Sequence, residues 1–223
     1  MNRPCLADWI HVDRTVARSV NLERDASNVE LLNRFQVTPM AQDVLNRLAD
    51  ALAGESVNAW SLTGPYGTGK TAFCNFLIAL ASGDQVERSI CLQRINGADW
   101  KTAKRLKSFL GTGRKDQPKF VGIRAVSRYE SLNSTLARAL HNCVERLKSQ
   151  NYHGLEKLES RVVKLTEEEW PPTRDVVAAV QQLVAITKCK VFLVVDEFGK
   201  NLEYQVHHAG QGDIFALQAL AES

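Results

Sequence analysis

The chain has 223 residues, 44% of them apolar and 24% charged, an ordinary globular balance with room for one large domain or two small ones. A net charge of +3 and a pI near 8.6 are too mildly basic to argue for a nucleic-acid partner by themselves. There is no signal-peptide core and no run of eighteen apolar residues, which argues against secretion and membrane insertion. Cys5, Cys74, Cys91, Cys143 and Cys189 lack C-x-x-C or zinc spacing, so they read as reduced thiols of a cytoplasmic protein.

In chain order, residues 1–37 read as an arm: apolar residues are sparse and charges alternate, with Ser27-Asn28-Val29-Glu30 as a capping box opening a short helix through Phe35. Thr38 as N-cap and Pro39 at the first helical position predict a second helix. Its apolar face is Met40, Val44, Leu45, Leu48 and Leu52, and Gly54 ends it. A core would then occupy residues 38–223. Val57–Thr63 reads as a short strand, and Ala72–Ala81 as a nearly all-round apolar helix ended by Gly83.

Between that strand and helix lies Gly64-Pro65-Tyr66-Gly67-Thr68-Gly69-Lys70-Thr71, which fits G-x-x-x-x-G-K-[ST] at every fixed position. Glycines at 64, 67 and 69 let the backbone curl so that successive N–H groups face one concavity, which a Cβ there would obstruct. Lys70 would add a charge at the β and γ phosphates, and Thr71 a hydroxyl for Mg²⁺. The helix starting near Gly69 would aim its positive end at the anion. Charge-assisted hydrogen bonds contribute roughly 1.5–3 kcal/mol each and micromolar binding needs about 8 kcal/mol, so four or five contacts suffice. The competing reading is a chance glycine-rich turn; the strand–loop–helix order favours the phosphate loop.

Residues 84–118 read as a basic insertion. Lys101, Lys104, Arg105, Lys107, Arg114, Lys115 and Lys119 stand against few acids, with Trp100 and Phe109 interleaved. A nucleic-acid contact is conceivable, but a solvated helix face followed by a turn at Gly111-Thr112-Gly113 is the favoured reading. Lys119–Val126 reads as a second strand, with Ser127 and Arg128 at its end, where open parallel sheets place their ligands. Arg128 either touches a phosphate or caps a carboxylate. Ser131–Ser149 is predicted helical through Leu132, Leu136, Leu140, Cys143 and Leu147. From Asn151 to Trp170 a helix gives way to a loop. Glu167-Glu168-Glu169 cannot share one helix face as a metal site. Thr173 opens a further helix with a Val176, Val177, Val180, Leu183 and Val184 core side.

Val191-Phe192-Leu193-Val194-Val195-Asp196-Glu197 has the unalternating apolar run of a central parallel strand buried on both faces, ending in two acids. The adjacent His207 and His208 point apart on any regular element and read as loop. Asp213–Glu222 reads as a helix, with Ile214, Leu217 and Leu220 at helical spacing.

The octapeptide at 64–71, followed about 120 residues on by the strand ending in Asp196-Glu197, resembles the Walker A and Walker B segments of P-loop NTPases. The second acid is similar to that of the branch containing AAA+ proteins, STAND switch ATPases and RecA-like motors. No guanine-specifying Asn-Lys-x-Asp follows. Residues 18–25, 59–67 and 196–203 also look similar to large bacterial ATP-binding proteins, some from phage-defence systems.

The resemblance implies a three-layer α/β fold with a mostly parallel sheet. It also implies ATP and Mg²⁺ as ligands, Gly64 through Thr71 as the nucleotide loop, and Thr71 with Asp196 as metal ligands. Lys70 and Glu197 would be catalytic, Glu197 as general base. It places a later, sensor-bearing strand between the two motif strands. Nothing after the final helix is left to supply one. The expectation is therefore the first part of a longer ATPase, or a product completed by another chain. The alternative is a sheet in which the two motif strands pair directly. An arginine finger and a sensor are unassigned, so self-association or a larger complex is expected. The function implied is an ATP-binding, ATP-hydrolysing module; the alternatives are a nucleotide-dependent switch or scaffold, and a motor stimulated by DNA or RNA.

Overall fold

The computed structural model describes residues 19–54, 59–110, 119–208 and 215–222. Within them the chain is α/β, with ten helices and a two-stranded parallel sheet. The elements are α1 (Val29–Arg34), α2 (Pro39–Leu52), α3 (Lys70–Ser82), α4 (Gln85–Ala98), α5 (Trp100–Leu110), β1 (Phe120–Val126), α6 (Leu132–Ser149), α7 (Glu156–Glu167), α8 (Thr173–Thr187), β2 (Lys190–Asp196), α9 (Gly199–His207) and α10 (Ala216–Glu222). None of these helices is long and apolar enough to cross a membrane.

The strands pair in register from Phe120 with Lys190 to Val126 with Asp196. Strand periodicity sorts their side chains onto two cores. Val121, Ile123 and Ala125 of β1, with Val191, Leu193 and Val195 of β2, join a cluster built by α6, α7 and α8. On the opposite face Phe120 and Phe192 meet the cluster of α2, α3, α4 and α5, and Val126 and Val194 pack with Leu22, Cys74 and Ile78. Helices therefore cover both faces, and α3 reaches both strands.

The approach of α3 to β1 is close enough to require a glycine. A Cβ at Gly122 would come within 2.8 Å of Ile78 Cγ2, and closer still to Ser82 Oγ. Gly122→Val is accordingly expected to lower stability by about 1–3 kcal/mol through overpacking, read as a shift in the urea midpoint at unchanged slope.

Several sequence expectations need correction. Residues 59–63 form no strand and are exposed, with Trp60 at 42% and Leu62 at 38%; positions 57 and 58 lie outside the described residues. Neither motif segment pairs with the other: β2 has β1 on one side and no further described strand on the other. β1, on which both α3 and α6 pack, is the buried strand, whereas Val191 to Asp196 of β2 are only half-buried. Apolar composition reports what a strand could bury, not what covers it.

Residues 84–110, read as part of a basic insertion, pack into the core. Capped by Asp84 and Glu87 in a reciprocal box, α4 packs on α1, α3 and α5, while α5 contributes Ala103, Leu106 and Leu110 to the core. The basic residues Lys101, Lys104 and Lys107 do lie on the exposed side of α5, and Arg105 pairs with Asp50. Residues 111–118, with the Gly111–Gly113 turn, Arg114 and Lys115, lie outside the described residues.

Nor do residues 19–37 behave as an arm, since Leu22, Leu32 and Phe35 pack into the cores and Phe35 stacks on Phe76 with centroids 4.4 Å apart. The N-cap of α1 is Asn28, not Ser27, because Ser27 takes a left-handed φ of 62°. His207 and His208 close α9 rather than lying in a loop, and His208 stacks on Tyr204 at 4.0 Å. The last helix begins at Ala216, and Asp213 and Ile214 are outside the described residues.

Candidate active site

The loop at residues 64–69 is exposed throughout, Tyr66 at 98%. Gly67 and Gly69 adopt φ of 79° and 82°, the left-handed region that favours glycine. An added Cβ at either position would meet nothing within 4 Å. Backbone conformation, not space in the concavity, is what demands glycine there. Gly69 is the N-cap of α3 and carries no side chain to occupy the helix's first N–H groups, which remain available to an anion.

Lys70 folds back over this loop. Its Nζ donates to Gly64 O and Pro65 O, both at 2.8 Å, and Thr68 Oγ1 donates to Pro65 O at 3.0 Å. The ammonium is thus held at the cradle by two carbonyls that a phosphate oxygen can replace.

Thr71 Oγ1 donates to Asp196 Oδ2 at 2.8 Å, across 125 residues of sequence. The other carboxylate oxygen, Oδ1, accepts from Glu197 N at 2.9 Å, and Asp196 O accepts from Ser127 N at 2.9 Å. The end of β2 is therefore fixed from both sides. No group of three or more His, Cys, Asp or Glu side chains able to cage a metal occurs among the described residues. A hydroxyl and a carboxylate in contact instead suit Mg²⁺, a hard cation that takes few protein oxygens and keeps water and phosphate for the rest.

Glu197 turns away from this pair. It adopts φ of 57°, is 40% exposed at the side chain, and its Oε2 accepts a hydrogen bond from Lys200 Nζ, one turn along in α9. That contact raises the Lys200 pKa, first through the hydrogen bond and then through the Glu197 charge, with smaller contributions from Tyr66 and Asp196. Lys200 was not singled out from the sequence; its signal is a cation three residues after the second acid on a helix.

Arg128 is exposed at the end of β1. The residue doing the bridging there is Arg138 of α6, which donates to Glu23 Oε1 at 3.2 Å, to Val126 O at 2.9 Å and to Glu130 Oε1. Ser127 is fully buried and its Oγ has no hydrogen-bond partner among the described residues. Neither role is readable in the sequence, because both depend on what α6 brings to the strand end.

The turn before α1 closes the other flank. Asn21 Oδ1 accepts from Glu23 N and Arg24 N, while Asn21 N donates to Asp25 Oδ2 at 2.8 Å. That arrangement directs Asn21 O to Asn75 Nδ2, 3.3 Å away on α3.

Cys74, one turn after Thr71, is pushed up to about 12, first by burial and then by the Asp196 charge. Since only the thiolate reacts, its alkylation at about pH 8 is expected to run about a thousandfold slower in the folded chain than in urea. Peptide mapping after iodoacetamide treatment reads this directly.

No protein-family profile matches this chain, and neither does any curated protein or solved structure.

Proposed function

We propose that the chain binds MgATP and hydrolyses it, as a P-loop ATPase module with a three-layer α/β core. The observation that carries the reading is the hydrogen bond from Thr71 to Asp196, which joins the glycine loop to the end of β2. A chance glycine turn has no reason to meet a strand-end aspartate 125 residues away.

In this reading the N–H groups of residues 67–71 and Lys70 Nζ hold the β and γ phosphates, and Lys70 exchanges the Gly64 and Pro65 carbonyls for phosphate oxygens. Thr71 Oγ1 and Asp196 Oδ2 would hold Mg²⁺, which when bound supplies charge neutralisation at the β and γ oxygens. Glu197 Oε2 accepts the proton of the attacking water once Lys200 releases it. A second reading, a nucleotide-dependent switch with little turnover, draws support from that same Lys200 pairing, which occupies the base in the resting state.

Calorimetric titration of the chain with ATP, with and without Mg²⁺, tests the first part. Micromolar binding that weakens at least tenfold in EDTA is expected; no heat under either condition would remove the reading. Phosphate release measured alongside separates turnover from switching.

A further inference from the structure

The two carboxylates at the end of β2 are held in opposite ways. Asp196 Oδ2 accepts from Thr71 at 2.8 Å and so belongs to the glycine loop, whereas Glu197 is turned to Lys200, whose Nζ donates to its Oε2. Glu197 reaches that position with a φ of 57°, in the left-handed region that a Cβ disfavours. Backbone strain of this kind persists only where the surroundings hold it, and it collects where a conformation has to change.

Lys200 borders the same site. Its side chain is 50% exposed, and its ammonium stands within electrostatic reach of Tyr66 in the glycine loop and of Asp196, besides Glu197. A second cation therefore flanks the cradle, in addition to Lys70. Helix stability does not account for its place, because Lys200 lies in the first turn of α9, the end where the helix dipole disfavours a positive charge.

An exposed carboxylate–ammonium pair three residues apart is weak, since water screens both charges. A terminal phosphate offers more charge and more acceptor oxygens than one carboxylate, and the lysine stem lets a compact ammonium with three donors swing between them. A nucleoside diphosphate brings no such group.

We propose that Lys200 exchanges the Glu197 carboxylate for the terminal phosphate of a bound nucleoside triphosphate, so that Glu197 is unpaired only when that phosphate is present. The inference rests on the phosphate-loop reading and adds its regulation. In the resting chain Lys200 keeps Glu197 turned away from Thr71 and Asp196, and with a diphosphate bound the pair stays closed.

The test is calorimetric titration of the full chain with MgADP and with the nonhydrolysable β,γ-imido analogue of MgATP, for the wild type, Lys200→Ala and Lys200→Gln. Each variant is expected to bind the analogue about tenfold more weakly, the effect of one charge-assisted hydrogen bond less that of the exposed pair it replaces. Affinity for MgADP should stay within about twofold, which also shows that the variants are folded.

Unchanged or tighter binding of the analogue by the variants would overturn the exchange. An equal loss for both nucleotides would overturn it as well, because Lys200 would then act on the cradle at large and not on the terminal phosphate. In either case wild-type binding leaves the phosphate loop standing. Failure of the wild type to bind either nucleotide would instead remove the phosphate-loop reading, and this inference with it.

Discussion

Glu197→Gln is expected to leave MgATP affinity within about twofold of the wild type while lowering hydrolysis by about 10²–10⁴-fold, the usual contribution of a positioned general base. Glutamine keeps the size of the side chain and its hydrogen-bonding oxygen, but that oxygen does not take up a water proton at neutral pH. Because Glu197 is half-exposed and follows Asp196 without touching Thr71, the substitution leaves the loop-to-strand contact in place. It also removes the charge that Lys200 pairs with, so Lys200 is released in the variant. Single-turnover hydrolysis and equilibrium binding on the same preparation check this. Normal hydrolysis in the variant would show that the proton goes elsewhere, and the switch reading would then have no base to be regulated.

Lys70→Ala carries the other large effect. Loss of one charged hydrogen-bond donor costs about 1.5–3 kcal/mol, so ATP affinity should fall by roughly 10- to 150-fold. The fold should be spared. Among the described residues Lys70 Nζ hydrogen-bonds to the exposed carbonyls of Gly64 and Pro65, which water can satisfy, and surface changes of this kind stay within about 0.5 kcal/mol. A binding titration paired with a thermal melt separates the two quantities. If the melting temperature collapsed along with affinity, Lys70 would be a structural tie of the loop rather than a phosphate ligand.

Much of the framework was legible because local chemistry fixes it. Thr38 and Pro39 start α2, and Ser131 starts α6 by accepting from Ser134 N. The apolar stripe of α6 follows from helical spacing, and so do Val176 and Leu183 of α8, whereas Val184, expected on the core side, is exposed. The octapeptide is legible for the same reason, since left-handed φ at Gly67 and Gly69 and an uncapped helix start are local properties. Where reading failed, the missing information was non-local. Residues 57–63 have strand composition, but composition does not decide pairing, and residues 59–63 pair with neither open edge of the two-stranded sheet. Residues 84–118 read as an insertion because the partners that hold α4 and α5 in the core, Asp50 among them, lie far off in sequence, although the solvated face expected for Lys101, Lys104 and Lys107 is the one they occupy.

Of the candidate site, the sequence by itself determined the loop, the lysine, the threonine and the two strand-end acids, because each is specified by residue type and spacing within one segment. Only the tertiary structure decided that Thr71 meets Asp196, that Glu197 turns away to Lys200, and that Asn75 of α3 donates to Asn21 O. Those facts depend on how α3 lies against the sheet and on where the turn at Asn21 closes over it. The packing that sets both is a sum of contacts between residues distant in the chain, and no local pattern encodes it.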